Sequence, residues 1–440
     1  MKALNEKYEQ ILRERYEENL AGGKAAVHYM ENSTAICRGI PVACGYIPKL
    51  FSPKAWARLN QAAQTIYAIL DKVIRRYLED AEYRKLFPFP AELEELILTE
   101  AGYPQLLPIA RLDIFFNEAD FSFQFCEFNA DGSSAMNENR ELDIALRHCD
   151  AMEKMRETHE ITSYELFDSW AREFMDIYRT YNKKIDAPRI AITDFMEKGT
   201  PNEFIQFKLA FERAGYETEI CDIRDLTYSN GKLNSPCAKQ IHAIYRRAVT
   251  RDIMENKDDV RPFLQAVRDN AVCLIGHLRT QIIHNKSIFH ILRRAETFAF
   301  LTPEEREYVL RHIPETLPLT GDVPPGVLEN KNDWIIKPED FYGSQGVYVG
   351  LDMDEAEWRK AVSEATDTGY ILQRFCPPYK TYNLNFNQSD RPDFELYNNI
   401  TGMFIYNGKL QGLYSRIGKM GKISAPTGVL TVASLACNTP

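Results

Sequence analysis

Four polar residues in two neighbouring β-rich runs carry the clearest chemistry in the sequence. Alternation along LLPIARLDIFF (106–116) puts Arg111 and Asp113 on one face, and along FSFQFCEFN (121–129) it puts Glu127 and Asn129 on one face. The short polar connection NEAD between the runs suits a hairpin. An ordinary antiparallel register then sets Arg111 roughly opposite Asn129, and Asp113 near Glu127 or Phe125. Two carboxylates and an amide oxygen are hard donors of the kind Mg²⁺ accepts, an ion that keeps several waters and completes its shell with phosphates. Arg111 beside them offers a fork for a phosphate oxygen. The competing reading is a hairpin edge with a surface ion pair.

A second group follows much later. WIIKPEDFYGSQGVYVG (334–350) reads as an apolar strand ending in Lys337, a loop holding Gly343, Ser344, Gln345 and Gly346, and another strand. Such a loop can lay backbone N–H groups over a phosphate chain, with the lysine as a point charge beside it. It is not a Walker A loop, and a plain two-glycine hairpin competes. Lys286, in HNKSIFHIL, sits at a predicted helix start, where a solvated lysine is the ordinary case. In YILQRFCPPYK (370–380) a strand delivers Gln373, Arg374 and Phe375 before Pro377 and Pro378 stop it, which reads as a hinge or as an ordinary strand end. Arg246 and Arg247 close IHAIYRR, with Arg251 nearby; an anionic group bound at a strand terminus and plain surface solvation compete there. Arg416, Lys419 and Lys422 lead into ISAPTG, where Ser424 and Thr427 can donate to an anion; a mobile basic loop competes.

The elements that must position these groups form a mixed pattern. Residues 1–21 predict a charged helix ended by Gly22 and Gly23, and 54–85 a longer amphipathic one stopped near Pro88 and Pro90. After the hairpin, helices are expected over about 138–158 and 163–181. RIAITDF, a helix over about 202–214, ETEICDI and IHAIYRR then predict a small α/β unit with a parallel core. NKSIFHILRR reads as helix, and WIIKP, GVYVGLD, YILQRF and GMFIYNGKLQGLYSRIG as strands, the last folded into a hairpin at Asn407 and Gly408.

Composition narrows the class. With 440 residues, 45% apolar and 26% charged, the chain reads as globular, and no run approaches eighteen consecutive apolar residues. The N-terminus MKALNEKYEQ is charged where a signal peptide would be apolar, so a cytoplasmic location and no membrane partner are expected. A net charge of -10 argues against nucleic acid. The nine cysteines form no CxxC pair and read as reduced thiols, and no HExxH or GxSxG motif is present. A Cys–His pair that meets only in space stays open.

Taken together, RLD (111–113), CEFNAD (126–131), HNK (284–286), IIKP (335–338), SRIG and SAPTG resemble glutathionylspermidine synthases and related proteins of the ATP-grasp superfamily, over most of the chain from about residue 105. Glu127 and Asn129 precede Lys286 and Lys337, the order of the circularly permuted branch. The resemblance implies an α/β (α+β) chain: a helical region over 1–105, a first ATP-grasp part over 106–184, a pre-ATP-grasp α/β domain over 185–275, and a nucleotide-binding second part over 276–440. It implies Mg²⁺ on Asp113, Glu127 and Asn129, and ATP on Lys286, Lys337, the 343–346 loop and the Gln373–Arg374–Phe375 hinge. Arg111 would bind the transferred phosphoryl group and Arg416 the acyl phosphate or the substrate carboxylate. Asp131, Ser133, Ser134, Arg246 and Arg247 are the expected substrate contacts. The implied chemistry activates a carboxylate as an acyl phosphate, which an amine attacks to give an amide, so a small-molecule acid and amine are the expected partners. The helical N-terminus is too short for the amidase domain of the bifunctional synthases. Arg246 and Arg247 would repel a polyamine, so an anionic or carboxylate-rich substrate is expected in place of spermidine. The competing functions are an Mg-ATP-binding protein that has lost the ligase step, and a small-molecule phosphotransferase.

Overall fold

Three sheets carry the expected strand-borne site residues, and loops beside them carry the rest. The computed structural model describes residues 1–37, 39–321, 323–324, 326–424 and 428–438. The largest sheet is antiparallel and runs Leu430–Val432, Lys409–Gly418, Glu395–Tyr406, Ile109–Phe116, Phe123–Asn129, with Lys380–Asn383 paired to Glu395–Tyr406. A parallel sheet runs Cys273–Ile275, Ala243–Arg246, Ile190–Asp194, Thr218–Asp222. A smaller antiparallel sheet runs Thr316–Pro318, Tyr370–Arg374, Trp334–Pro338, Tyr348–Val349.

Local sequence explains most of this. The hairpin at Asn407 and Gly408 has φ of 46° and 83° at the two turn residues, the primed geometry that matches strand twist and that asparagine and glycine tolerate. The small α/β unit is parallel as expected because its strands are apolar on both faces: Ile190 and Ile192 pack into one core, Ala191 and Ile244 into the other. Helix Pro53–Glu79 starts where expected, with Ser52 accepting from the Ala55 amide and proline at its first position. It ends earlier than the predicted residue 85, because the Asp80 side chain accepts from the amides of Glu82 and Tyr83 and caps a new short helix.

Other expectations are corrected. Gly22 and Gly23 do not stop a helix; they lie inside Tyr16–Glu31. A Cβ at Gly23 would sit 2.4 Å from the Phe386 ring, and one at Gly22 2.8 Å from the Tyr46 hydroxyl, so the pair lets other elements approach closely. Of the two helices expected over about 138–158 and 163–181, the first divides into Met136–Leu146 and Asp150–Arg156, and the second is observed as Phe167–Arg179, with strand Glu160–Ser163 between them. That strand pairs with Ser434–Asn438, which also pairs with Lys49–Phe51, so the chain's last strand packs against its N-terminal region. Among the described residues no helix is long and apolar enough to cross a membrane.

Candidate active site

The hairpin closes in the expected register. Arg111 faces Asn129 and Asp113 faces Glu127, with a bulge just after Asp113. Two further strands extend that row: Gly402 lies beside Asp113, and Tyr414 beside Gly402. Gly402 is there for space, because a Cβ would come within 2.8 Å of Arg111 Cδ and 2.9 Å of Asp113 Oδ1. Across that gap, Arg416 Nη2 donates to Asp113 Oδ2 at 2.9 Å, and Arg111 Nε donates to Asp113 Oδ1 at 2.8 Å. Both guanidinium groups lie over the Tyr414 ring, at 5.4 and 5.7 Å. The Tyr414 hydroxyl donates to Glu138, whose carboxyl burial pushes upward.

On the other strand, Glu127 pairs with Lys286 at 3.0 Å. Burial alone would push the Glu127 carboxyl up, but the ammonium groups of Lys286 and Lys337 outweigh it and hold the group at about 2. Lys337 Nζ donates to the Cys126 carbonyl at 3.0 Å and to Gln373 Oε1 at 2.8 Å; Gln373 in turn donates to Thr316. Gln373 therefore holds the lysine.

Of these groups, Glu127, Lys286, Lys337 and Arg416 meet at a cavity of about 70 Å³, lined by residues of the hairpin, Lys286, the 334–347 strand and loop, and the 416–423 segment, while Arg111, Asp113, Asn129 and Gln373 lie behind its lining. Four cations line it, Lys286, Lys337, Arg416 and Lys422, against one carboxylate, Glu127. Ser344 lines it from the glycine loop, where Gly343, Ser344 and Gly346 take φ of 65°, 58° and 67°; Gln345 and Gly343 face solvent. Phe115 also borders a larger cavity of about 630 Å³, lined among others by Gln124, Arg374, Phe375, Cys376 and Tyr379. Arg374 stands at its rim, paired with Glu315 and Asp333 and stacked on Trp334 at 4.3 Å. Thr427 lies outside the described residues.

The expected substrate contacts fare differently. Arg246 and Arg247 are buried and meet carboxylates of the chain itself, Arg246 on Asp131 and Arg247 on Glu203 at 2.7 Å. Asp131 also accepts from the Thr250 amide. These three residues are internal ion pairs, so the repulsion of a polyamine inferred from the arginines has no exposed charge behind it. Ser133 donates to the Asn129 carbonyl, and the Ser134 carbonyl accepts from Arg111 at 2.7 Å. The loop they occupy thus ties the hairpin to the edge of the parallel sheet, where a Cβ at Gly132 would sit 2.3 Å from the Arg247 carbonyl. Burial pushes seven of the nine thiols upward, away from the reactive thiolate: Cys44, Cys126, Cys149, Cys221, Cys273, Cys376 and Cys437.

One carboxyl nearby titrates near neutrality. Asp194 ends a strand of the parallel sheet, and burial pushes it up to about 7, with Arg247 opposing and Asp252 adding to the rise. The folded chain keeps this proton between about pH 4 and about pH 7 while the unfolded chain releases it, so stability falls as pH rises through that window. Asp194→Asn is expected to remove the slope and to gain about 4 kcal/mol over the parent at pH 8, with little change at pH 4, read from urea denaturation at both pH values.

No family model matches the chain, and no curated protein matches it. Among solved structures, a glutathione synthetase like-effector from Globodera pallida in its apo form superposes with a TM-score of 0.63 at 11% identity, covering 94% of this chain and 96% of that one. The likeness shows the fold. The chain is a mixed α/β protein that shares its overall fold with that effector.

Proposed function

We propose that the chain is an ATP-dependent carboxylate–amine ligase of the glutathionylspermidine synthase kind. The observation that carries this is the cavity shared by an early hairpin and a late lysine-bearing strand and loop, with cations in excess. Such an excess suits a polyphosphate, whose charge must be offset before a second anion can approach it. Two buried donors support the reading: Asn129 Nδ2 and Arg416 Nε have no acceptor among the described residues. Asp113, Glu127 and Asn129, on one face of the hairpin, would hold Mg²⁺, which supplies charge neutralisation at the phosphates.

Lys286 and Lys337 would take phosphate oxygens, and the 343–346 loop would cover them. The larger cavity past Phe115, of a size usual for small-molecule sites, would take the base against Phe375. Arg111 and Arg416, which share Asp113, would steady the charge that develops on the acyl phosphate. The phosphate cavity, at about 70 Å³, is far smaller than the one past Phe115. Nucleotide entry therefore needs the loop to lift. The order of the segments, carboxylate hairpin before lysine strand, supports the circularly permuted arrangement.

A second reading has its own support: Asp113 is taken up by two arginines and Glu127 by Lys286, so both carboxylates already have counter-ions from the chain itself. A chain that binds Mg-ATP without joining an acid to an amine would look the same. ADP release by the purified protein against amino acids, small peptides and amines separates the two. The ligase is expected to release ADP only with a matching pair and to form an amide. Nucleotide binding with no release from any pair would favour the second reading.

A further inference from the structure

We propose that Arg251 is a positioning residue that clamps the root of the loop closing the phosphate cavity; the inference deepens the nucleotide reading above and rests on it. The loop's far end is held by Lys422, whose Nζ donates to the Val347 carbonyl at 3.0 Å. Three of its residues have positive φ, and its tip faces solvent. Its root, residues 339–342, is instead tied by side chains from 250–286, a segment outside the sheet that carries the loop.

Arg251 makes two of these contacts. Its Nη1 donates to the Asp340 carbonyl at 2.6 Å, and its guanidinium lies 3.7 Å from the centre of the Phe341 ring. Pairing with Glu255 one turn along, at 2.8 Å, orients the guanidinium group. Gln281 donates to Asp340 Oδ1 at 2.9 Å. Tyr342 donates to Asp252 Oδ2 at 3.0 Å, and Asp252 is itself held by Lys198 at 2.6 Å. Lys286 closes the root, its amide on the Glu339 carbonyl at 2.8 Å and its ammonium on the Phe341 carbonyl at 2.6 Å.

That last contact links clamp to chemistry. The ammonium that holds the Phe341 carbonyl also pairs with Glu127 inside the cavity. Shifting Phe341 therefore moves a cation of the site. Arg251 does not line the cavity itself, so it acts through the loop.

The test compares the parent with Arg251→Ala, Arg251→Lys and Tyr342→Phe, by amide hydrogen exchange without nucleotide and by titration with ATP plus Mg²⁺. In Arg251→Ala, amides of 341–347 are expected to exchange at least about tenfold faster, with strands Ile190–Asp194 and Ala243–Arg246 unchanged. The Kd for Mg-ATP is expected to rise about tenfold. Arg251→Lys restores part of both, because it keeps the charge without the planar face. Tyr342→Phe removes one hydroxyl, leaves folding intact and moves both readouts the same way by less. Unchanged loop exchange in Arg251→Ala and Tyr342→Phe overturns the clamp, and a loosened loop with unchanged affinity overturns its link to the nucleotide. A parent protein that does not bind Mg-ATP removes the function reading, while the exchange comparison still decides the clamp.

Discussion

Glu127→Ala is expected to lower ADP release at least about a hundredfold while the protein stays folded. The carboxylate sits where the two readings of the site diverge. As a metal ligand it is needed to seat Mg²⁺ against the phosphates, so its loss weakens Mg-ATP binding. As a mere partner for Lys286 it is a counter-charge, and its loss leaves the cavity with four cations and no carboxylate. Metal-free ATP would then bind more tightly, not less. Calorimetric titration with ATP, with and without Mg²⁺, reads that sign directly. The neighbouring lysines hold Glu127 ionised down to about pH 2, so the comparison can be made at any working pH without the carboxyl changing state.

The hairpin was readable because alternation assigns faces and a short connection sets register, and both signals are local. Arg111, Asp113, Glu127 and Asn129 needed nothing else. Arg246 and Arg247 show the opposite case. A strand-terminal arginine looks the same whether it meets solvent, a ligand or a distant carboxylate, and their partners Asp131 and Glu203 are separated from them by whole elements. Gly402 and Tyr414, which bring Arg416 to Asp113, were equally hidden, since an unremarkable glycine in a strand becomes informative only when its cross-strand neighbours are known. Gly22 and Gly23 misled for a related reason: glycine signals a helix stop and a close helix contact alike. The parallel α/β unit is legible because its two central strands, Ile190–Asp194 and Ala243–Arg246, are buried along their whole length, whereas the two-residue strand Tyr348–Val349 holds its place by pairing with Trp334–Pro338.

Asp113→Ala is expected to lower the unfolding free energy by about 3–5 kcal/mol, read from the urea midpoint at unchanged m. The carboxylate is 1% exposed and accepts from Arg111 at 2.8 and 3.2 Å and from Arg416 at 2.9 Å. Its removal strips both guanidinium groups of their shared counter-ion over a single tyrosine ring. Arg111 keeps only the Ser134 carbonyl, and Arg416 already has an Nε without an acceptor. Asp113→Asn keeps an acceptor oxygen and is expected to lose about half as much. The unpaired arginines also make an anion site, so inorganic phosphate should raise the midpoint of Asp113→Ala more than that of the parent, by mass action on the folded state. A loss below about 1 kcal/mol with no phosphate effect would mean that water already neutralises the arginines. The shared Asp113 would then hold neither the fold nor the charge that the proposed chemistry requires.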